Sequence, residues 1–485
     1  MYLFLFSDSY FCAMARKNNR KIFEDLEIID AGAKGKSIAK APDGKVVFVN
    51  NAVPGDIATI QTTKMKKAYY EGTALSFSKF SDKRVAPQCD YFGTCGGCKW
   101  QHMGYEHQLA YKQNEIENNL IRLGKIELPT VSPILGSKEQ YFYRNKMEFS
   151  FSDSKWLTRA QIDSEETIEN RNALGFHIPG MWDKILDIQN CHLQRDPSNA
   201  IRNFIKDKAE ELEIPFFNAR KQLGLLRTLM IRTSSTGDVM VLIQFFSEHT
   251  EKRELLLKAI SEKFSDITSL LYVINGKGND TIYDQEVICY AGEDHIFEEM
   301  EGLRFKINAK SFYQTNSDQA YELYKITRDF AGLTGNELVY DLYTGTGTIA
   351  QFVAKNAQKV VGVEAVPDAI KAAQENAERN GIENVEFFVG DMKKVFTSEF
   401  TSHHGTPDVV ITDPPRDGMH SDVVQQLIQL SAPKIVYVSC NSATQARDLA
   451  LLDDTYKVVK VQPVDMFPQT HHVENVVLLE KRQKL

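Results

Sequence analysis

The chain has 485 residues, of which 42% are hydrophobic and 25% are charged, and its formal net charge at pH 7 is −8. These values are those of an ordinary globular protein with two or three domains. The acidic balance excludes a uniformly basic nucleic-acid binder, so any contact with RNA has to come from a local basic module.

Residues 1–22 are expected to form a poorly ordered extension. Residues 1–13 are apolar and aromatic, but Ser7, Asp8 and Ser9 interrupt the run and no basic residue precedes it. The run is too short to span a bilayer, and Met14 is a plausible alternative start. We therefore expect a cytoplasmic protein without membrane contact, in which clustered cysteines bind metal or catalyse rather than form disulfides.

Residues 23–82 read as a small β-barrel, because short alternating runs are separated by turn residues. Between positions 31 and 84 there are ten Lys and Arg but four Asp and Glu, a local balance of +6. Lys64, Lys66 and Lys67 would neutralise phosphates while Tyr69 or Tyr70 stacks on a base. A solvated charged hairpin is the alternative. The segment containing VVFVNNAVPGDIATI resembles the TRAM domain, an OB-like RNA-binding barrel.

A cysteine cluster follows, with Cys89, Cys95 and Cys98 within ten residues and two glycines between the last two. This spacing indicates a metal site, and Cys₄ ligation requires a fourth thiolate. Cys12, Cys191, Cys289 and Cys440 remain, and Cys191 is our choice because polar turn residues flank it. Zinc is the alternative metal, although zinc sites usually show two CxxC pairs.

Residues 83–308 are expected to form a central α+β domain. Positions 105–123 predict an amphipathic helix with Leu109, Ile116, Leu120 and Leu123 on one stripe, which would pack on the C-terminal domain. Alternating runs between positions 130 and 308 predict a mixed, largely antiparallel sheet, with a helix near 199–212. Cys289 lies in an apolar run and is expected in the core.

Residues 309–485 are expected to form a nucleotide-binding α/β domain. A hydrophobic strand at 338–340 ends in Asp341, and a tight Gly345-Thr346-Gly347 turn then opens a helix. A second strand, 359–364, ends in Glu364 about 20 residues past the turn, where a carboxylate would meet ribose hydroxyls. No phosphate-binding glycine pattern is present. The pattern favours S-adenosylmethionine as cofactor over a nucleotide with a pyrophosphate.

Further strands at 385–389, 407–413, 434–439, 457–464 and 475–479 would complete a seven-stranded methyltransferase sheet. Asp413, Cys440 and Glu474 fall at strand tips or loops, which share one edge of such a sheet. A thiolate that adds to carbon 6 of a pyrimidine makes carbon 5 nucleophilic enough to accept a methyl group, and a base must then remove the carbon 5 proton. We therefore expect Cys440 as nucleophile and Glu474 as base, with Asp413 holding the pyrimidine or assisting proton movement.

The ordered motifs FYQTN, DLYTGTGTIA, GVEAVPDAI, DPPRDG, VSCN and HHVEN resemble the RNA uracil-5-methyltransferase family. With the barrel and the cysteines, the resemblance covers nearly all of 25–485 and is closest to the 23S ribosomal RNA branch. It implies a TRAM barrel, a central domain holding a 4Fe–4S cluster on Cys89, Cys95, Cys98 and Cys191, and a Rossmann-like class I methyltransferase domain.

The resemblance also implies the roles of individual residues. Asp413 would lie between cofactor and base, and Phe312 would stack against a uracil extruded from the RNA. Ser442 departs from the family, since many members carry proline there. Contacts to S-adenosylmethionine are implied for Gln314, Tyr343, Thr348, Glu364, Asp391 and Asp413.

The leading hypothesis is methylation of carbon 5 of a uridine in 23S rRNA by a monomer that needs no protein partner. Transfer RNA is the runner-up substrate. Cytosine methylation lacks its proline-cysteine motif, and adenine N6 methylation would require an aromatic residue where Arg416 stands. A non-catalytic iron–sulfur RNA-binding or assembly factor is the alternative from another class, and the presence of Cys440 and Glu474 argues against it.

Overall fold

The computed structural model describes residues 20–164 and 167–483. The chain divides into two compact units, one formed by residues up to 104 with 144–233 and 237–295, the other by 105–143, 234–236 and 296 onward. Nearly all of the expected N-terminal extension, including Cys12, lies outside the described residues. Among the residues described, no helix combines the length and the hydropathy needed to cross a membrane.

The first unit begins with a closed barrel in the strand order β1-β2-β3-β5-β4, in which only the β3–β5 pair is parallel. Its elements are β1 (Ile22–Ala31), a 3₁₀ turn (Ala33–Gly35), β2 (Ser37–Lys40), β3 (Val46–Asn50), β4 (Ile57–Met65) and β5 (Tyr69–Lys79). Alternate residues such as Val47, Val49, Ala58 and Ile60 fill the interior. The predicted barrel is confirmed.

Tyr70 belongs to the barrel core, so the expectation that it stacks on a base is wrong. Its side chain is 3% exposed, and its hydroxyl donates to Asp43 Oδ2 at 2.7 Å. Side chains alternate along a strand, so when Tyr70 points inward its neighbour Tyr69 points outward. Tyr69 is partly exposed.

The chain next passes through α1 (Tyr105–Arg122), which belongs to the second unit. It then returns to build a seven-stranded sheet in the order β12-β11-β10-β9-β6-β7-β8. The elements are β6 (Lys146–Ser152), α2 (Arg159–Asp163), β7 (Ala173–Ile178), β8 (Met181–Asp187), α3 (Ser198–Glu211), β9 (Leu226–Thr233), β10 (Val239–Phe245), α4 (Thr250–Lys263), β11 (Ser269–Ile274) and β12 (Ile288–Gly292).

Only the β10–β11 pair of this sheet is parallel, so the predicted mixed, largely antiparallel sheet is confirmed. Apolar residues of α3 and α4, such as Ile201 and Leu256, share one buried cluster with the strands. Cys289 is exposed, so its expected place in the core is wrong. Strand β12 is outermost in the sheet, and this edge position leaves the thiol uncovered.

The second unit contains a two-stranded sheet and a seven-stranded sheet in the order β17-β16-β15-β18-β19-β21-β20. Beside α1, its elements are β13 (His295–Met300), β14 (Leu303–Asn308), α5 (Ser317–Ala331), β15 (Leu338–Leu342), α6 (Thr348–Ala354), β16 (Lys359–Glu364), α7 (Pro367–Arg379), β17 (Val385–Val389), α8 (Ser398–His404), β18 (Val409–Thr412), α9 (Ser421–Leu430), β19 (Lys434–Ser439), α10 (Ser442–Leu452), β20 (Tyr456–Val464) and β21 (Glu474–Lys481).

Strands β15 to β19 are parallel, and β21 inserts antiparallel between β19 and β20. The inner strands are buried on both faces, as their uninterrupted apolar sequences require. The predicted seven-stranded sheet, including its two closing strands, is confirmed.

Helix α1 buries the predicted stripe only in part, since Ile116 and Leu120 are buried but Leu123 is not. Its buried residues are Gln108, Lys112, Ile116 and Leu120, four residues apart, whereas Leu123 is 56% exposed. Two polar side chains thus occupy positions that the hydrophobic pattern did not include.

Candidate active site

The predicted site residues of the second unit lie where the parallel strands end. Strand β15 pairs in register with both neighbours, Leu342 opposite Val363 on one side and opposite Thr412 on the other. The next residues on the three strands are therefore Tyr343, Glu364 and Asp413, side by side along the carboxyl edge of the sheet. The backbone N–H of Asp413 donates to Leu342 O at 3.4 Å. This edge is where open α/β sheets bind their ligands.

Cys440 and Glu474 face each other across two antiparallel strands. Ser439 at the end of β19 pairs with Asn475 of β21. Cys440 and Glu474 are the residues that adjoin this pair, and the negative charge of Glu474 contributes to the raised pKa of the Cys440 thiol. Cys440 is half-buried and Glu474 is buried, 6% exposed. A strand-end thiol and a strand-start carboxyl therefore lie at the same edge of the sheet.

These groups form an electrostatically coupled set of acids. Burial raises the pKa of Cys440 to about 11, and the negative charges of Glu474 and Asp413 add to the shift. Burial raises the pKa of Glu474 to about 8, again with a contribution from Asp413. The pKa of Asp413 itself rises to about 7 through burial. The pKa values of Asp413 and Glu474 therefore lie near neutral pH, which is the range that general acid–base catalysis requires.

Arg416 is the cation that opposes these shifts, since its charge lowers the pKa of both Cys440 and Glu474. It lies in the loop that follows β18. The loop is held against α10, because Arg416 O accepts from Asn441 Nδ2 at 2.9 Å and from Thr444 Oγ1 at 3.1 Å. The Asp413 loop and the Cys440 loop are thus fixed to each other.

Serine at position 442 does not disturb this loop. Asn441 caps α10 by accepting from the backbone N–H of Ala443 at 3.2 Å, and the helix begins at Ser442. The Ser442 hydroxyl accepts a hydrogen bond from Asn119 Nδ2 of α1 at 2.8 Å. A proline at this position would have no hydroxyl to make this contact.

The glycine turn forms a cradle beside the same edge. Tyr343, Gly345 and Gly347 all have positive φ, of 60°, 56° and 74°. A Cβ atom at Gly345 would meet nothing within 4 Å, so this backbone faces open space. Glu364 accepts from the backbone N–H of Gly345 at 3.2 Å through Oε2, and from that of Val366 at 3.0 Å through Oε1.

The residues present fit S-adenosylmethionine. The turn leaves room for a ligand to approach the backbone at Gly345, and Glu364 stands where a ribose diol would bind. Carboxyl groups from five strands lie at this edge, four at or just beyond strand ends and one at the start of β21, and such a set favours a cationic sulfonium. They are Asp341, Glu364, Asp391, Asp413 and Glu474.

The remaining predicted cofactor residues surround this cradle. Thr348 is the first residue of α6 and is 8% exposed. Asp391 is exposed at the end of β17, and its charge, with that of Glu364, contributes to the raised pKa of Tyr343. Gln314 hydrogen-bonds Tyr324, and the acids Asp413, Asp341 and Glu474 raise the pKa of that buried tyrosine. Gln314 therefore contacts a buried tyrosine whose pKa responds to these three acids.

Phe312 stands apart from this buried set, because 70% of its side chain is exposed. The adjacent Tyr313 is buried at 6% exposure. An exposed ring on the segment that carries Gln314 is free to stack on a base, but nothing in the described residues packs it against the acids.

The sequence reasoning did not assign Asp341, Tyr324 or Arg416 to the site. Asp341 is 1% exposed, and burial raises its pKa to about 7, with Asp413 and Glu364 contributing. It accepts a hydrogen bond from the Thr344 hydroxyl. Its place at the end of the first strand was the available signal, whereas nothing in the sequence placed Tyr324 under the site.

The four predicted metal ligands lie close together in the first unit. Cys95 and Cys191 pack against the same apolar cluster of Ile178, Leu186 and Ile188. The backbone N–H of Gln189 donates to the Tyr91 hydroxyl at 3.0 Å, which ties the Cys191 loop to the cysteine-rich segment. Asn199 Oδ1 accepts from the Cys191 N–H at 2.9 Å.

Each thiol in this group senses the others. Burial raises the pKa of Cys95 to about 11 and that of Cys98 to about 12, and the negative charges of Cys89 and Cys191 contribute to both shifts. Thiols so placed stay protonated unless a cation compensates the clustered charge. Within 20–164 and 167–483, no three His, Cys, Asp or Glu side chains are grouped so as to hold one metal ion.

The basic hairpin of the barrel presents two exposed cations. The turn between β4 and β5 closes through Lys66 N–H donating to Tyr69 O at 2.9 Å, and Lys66 and Lys67 are exposed on it. Lys64 is 3.7 Å from Glu71 Oε2, so its charge is partly compensated.

Models of known protein families match the barrel and the C-terminal part of the chain. A family model described as tRNA (Uracil-5-)-methyltransferase matches residues 232–482, and the TRAM domain model matches residues 24–75. A protein of Bacteroides thetaiotaomicron named "Uncharacterized RNA methyltransferase" is 57% identical over 455 residues, covering 93% of this chain and 100% of the relative. A protein of the same name from Porphyromonas gingivalis is 55% identical over 461 residues, covering 94% and 99%.

A solved structure is also similar along nearly the whole chain. It is that of the Pyrococcus abyssi tRNA (uracil-54, C5)-methyltransferase in complex with S-adenosyl-L-homocysteine. The TM-score is 0.72 at 26% identity, covering 94% of this chain and 100% of that one. The likeness therefore covers residues of both compact units.

Proposed function

The chain belongs to the RNA uracil-5-methyltransferase family and is an S-adenosylmethionine-dependent RNA methyltransferase, and from that premise we propose that it methylates carbon 5 of a uridine through a covalent bond between Cys440 and carbon 6. The observation that supports this proposal is the pairing of Ser439 of β19 with Asn475 of β21, the residues that adjoin Cys440 and Glu474. The Cys440 thiol is the type of group that forms the covalent adduct. The Glu474 carboxyl is the type of group that removes a proton so that the adduct can break down.

The reaction follows from the two residue types. The Cys440 sulfur adds to carbon 6, and the electrons of the 5,6 double bond move toward the carbonyl at carbon 4, so that carbon 5 becomes nucleophilic. Bound S-adenosylmethionine supplies the electrophilic methyl group. Glu474 then takes the proton from carbon 5, the double bond forms again, and the Cys440 sulfur leaves as thiolate.

The thiol has to lose its proton before or during attack. With a pKa near 11, Cys440 is protonated at neutral pH, and Arg416 is the nearby cation that favours its thiolate. Asp413, whose pKa is near 7, is able to accept that proton or to hold the polar edge of the pyrimidine. We propose that Asp413 lies between the cofactor and the uracil base.

The cofactor would be held by the glycine turn and the surrounding side chains. Glu364 would bind the ribose hydroxyls, and Phe312 would stack against the extruded uracil, for which its 70% exposure leaves room. The other proposed contacts are Gln314, Tyr343, Thr348, Asp391 and Asp413.

We propose that the cysteine group holds a 4Fe–4S cluster, in which each thiolate binds a different iron, so the four thiols do not have to converge on one metal ion. Its four thiols approach one another beside an apolar cluster, and four thiolates are the ligand set that such a cluster takes. We propose Cys89, Cys95, Cys98 and Cys191 as its ligands. The protein's own contribution is the burial of these thiols, which excludes water from the group.

The substrate is an RNA, and we propose a uridine of 23S ribosomal RNA, acted on in the cytoplasm by a monomer. The combination of barrel and cysteine cluster supports this choice, since it resembles the ribosomal branch. Transfer RNA is the second candidate, and the similarity to the Pyrococcus abyssi tRNA enzyme favours it. Mass spectrometry of both RNAs from a deletion strain decides between them: loss of one 5-methyluridine from 23S rRNA is expected, whereas loss only from tRNA would reverse the assignment.

Replacement of the nucleophile tests the mechanism. Cys440→Ala should abolish methyl transfer to RNA, because no other described group stands opposite Glu474 to form the adduct, while binding of S-adenosylhomocysteine persists. Cys289→Ala, which removes an exposed thiol of the first unit, is the control and should retain activity. Normal turnover by Cys440→Ala would overturn the covalent mechanism.

A further inference from the structure

The loop between β20 and β21, residues 465–473, leads directly to Glu474. Its backbone is held at consecutive positions by side chains from segments that are 150 to 361 residues away in sequence. Such dense anchoring is unusual for a surface connection, because loops ordinarily rely on local turns and water. These contacts therefore fix a loop conformation that the connection between β20 and β21 alone would not determine.

A buried ion pair fixes the start of the loop. Lys112 Nζ of α1 is 2.6 Å from Asp465 Oδ1, and both side chains are fully buried. The same ammonium donates to Phe467 O at 3.2 Å. Asp465 is further satisfied by the Tyr105 hydroxyl, which donates to Oδ2 at 2.8 Å, and by the N–H of Phe467 at 3.1 Å.

A paired amide contact fixes the middle of the loop. Gln108 Oε1 accepts from the backbone N–H of Gln469 at 3.0 Å, and Gln108 Nε2 donates to Gln469 Oε1 at 3.0 Å. Gln469 has φ of 67°, a conformation that residues other than glycine adopt only when their surroundings hold them there. Helix α1 provides that support.

Two further side chains complete the attachment. The Tyr143 hydroxyl donates to Pro468 O at 2.9 Å. Asn316 Nδ2 donates to Met466 O at 2.9 Å, while its Oδ1 caps α5. Because Asn316 closes the segment that carries Gln314, the loop before Glu474 and the proposed cofactor segment share one amide.

We propose that Tyr105, Gln108 and Lys112 are positioning residues that fix Glu474 opposite Cys440. They are spaced i, i+3 and i+7 and therefore lie on one face of α1. The inference rests on the proposed function, because it takes Glu474 to be the base. It adds which residues orient that base: they belong to α1, about 360 residues before the loop in the sequence.

A purely stabilising role explains these residues less well. A fully buried ion pair is often no more stabilising than apolar residues of the same volume, so it is weak evidence for stability. Hydrogen bonds to defined backbone atoms, by contrast, specify orientation. An apolar face on α1 would cover the loop without setting its conformation.

The first test is Gln108→Ala, with Gln113→Ala as the matched control. Gln113 lies on the same helix, but its Oε1 accepts from the backbone N–H of Ile134 at 2.7 Å rather than from the loop. Gln108→Ala should lower kcat by about tenfold to a hundredfold, the scale of a misplaced catalytic group. KM for RNA and cofactor should stay within about twofold, and covalent RNA–protein adduct should accumulate because only proton removal is slowed.

The second test separates positioning from stability. Lys112→Met should lower Tm, since it leaves the Asp465 charge buried and unpaired. The double variant Lys112→Met, Asp465→Asn should recover Tm, because the unpaired charge is gone, but it should not recover kcat. Recovery of both by the double variant, or equal kinetics of Gln108→Ala and Gln113→Ala, would overturn the proposal.

The Glu474→Gln variant, measured in parallel, distinguishes the two levels of inference. If it accumulates adduct and the α1 variants do not, the base assignment stands and the positioning role fails. If Glu474→Gln turns over normally, the base assignment fails and the positioning role fails with it.

Discussion

Glu474 combines almost complete burial with a pKa near 8, so its protonation state changes within the working range of the enzyme. A base in this position has to be a carboxylate when the carbon 5 proton leaves and a neutral acid afterwards. Its surroundings, with Asp413 opposing ionisation and Arg416 favouring it, place the two states close in free energy.

Glu474→Gln should trap the covalent intermediate. Glutamine has the same shape but cannot accept the carbon 5 proton, so methyl transfer occurs once and the Cys440 adduct persists. Denaturing gels should show a slower RNA–protein band, and turnover should fall by roughly 10²–10⁴-fold. Glu480→Gln, at the exposed end of the same strand, is the control. Absence of the band together with full turnover would contradict the assignment.

The same substitution should stabilise the fold in a pH-dependent way. The folded state binds a proton on Glu474 up to about pH 8, whereas the unfolded chain releases it near 4.5. Between these values the folded state binds more protons, so the free energy of unfolding falls as pH rises. Glu474→Gln removes that loss, which is about 4 kcal/mol near pH 8 for a shift of this size.

Thermal denaturation at several pH values checks this. The Tm difference between Glu474→Gln and the wild type should be positive and should grow from pH 5 to pH 8. Glu480→Gln should show no such trend, since that position is exposed. A difference independent of pH would mean that the buried acid does not govern stability here.

At the scale of single elements, the two glycines of the turn before α6 have different roles: one borders the proposed ligand site and the other permits helix packing. Gly345 and Gly347 both have positive φ, but they face different surroundings. A Cβ at Gly345 meets open space, whereas a Cβ at Gly347 would lie 2.6 Å from Phe387 Cζ and 2.9 Å from Ala373 Cβ. One glycine thus borders the proposed cofactor, and the other allows the helix to pack.

Alanine at these two positions should therefore have different consequences. Gly345→Ala should weaken S-adenosylhomocysteine binding, measured by calorimetry, by about tenfold or more, while it costs about 1–2 kcal/mol of stability through φ. Gly347→Ala should cost more, because steric overlap adds to the same backbone strain. Equal affinity of Gly345→Ala and the wild type would show that the cofactor does not approach this backbone.

The hairpin between β4 and β5 should contribute to RNA affinity through charge. Lys66→Ala with Lys67→Ala should reduce the slope of log affinity against log salt by about 0.7 for each lost phosphate contact. Lys79→Ala, at the far end of β5, is the control. An unchanged slope would favour the simple solvated hairpin.

The sequence predicts strands and helices where a residue pattern repeats, but it does not predict contacts between residues that are far apart in the chain. The strands from Leu338 to Ser439 could be predicted because each is a short apolar run between helical segments. Cys440 could be placed at this edge because parallel strands end there, whereas Glu474 lies at the same edge because the antiparallel strand β21 begins there. Lys112 could not be placed, because its partner Asp465 lies 353 residues away and no local signal marks a buried charge.

Some errors arose from the environment of a strand rather than from its sequence. Cys289 lies in an apolar run, but β12 is the outermost strand and leaves it exposed. Tyr69 and Tyr70 are chemically equivalent, and only the inward and outward alternation of β5 decides which one is available to RNA.

At the scale of the whole molecule, the cysteine group should determine the iron content. Protein purified without oxygen should contain about four iron and four sulfide per chain, and Cys191→Ala should lose most of both. Cys289→Ala should keep them, since that thiol lies outside the group. One zinc per chain instead of iron would reject the cluster.

Helix α1 also has a consequence for where the gene can be cut. The catalytic sheet is encoded from position 296 onward, yet the lysine that neutralises Asp465 is encoded at position 112, before the central sheet. A fragment starting at 296 would leave a charged carboxylate in an apolar interior with no counterion. The methyltransferase half is therefore not a portable module, and shuffling it between proteins requires residues 105–143 to travel with it.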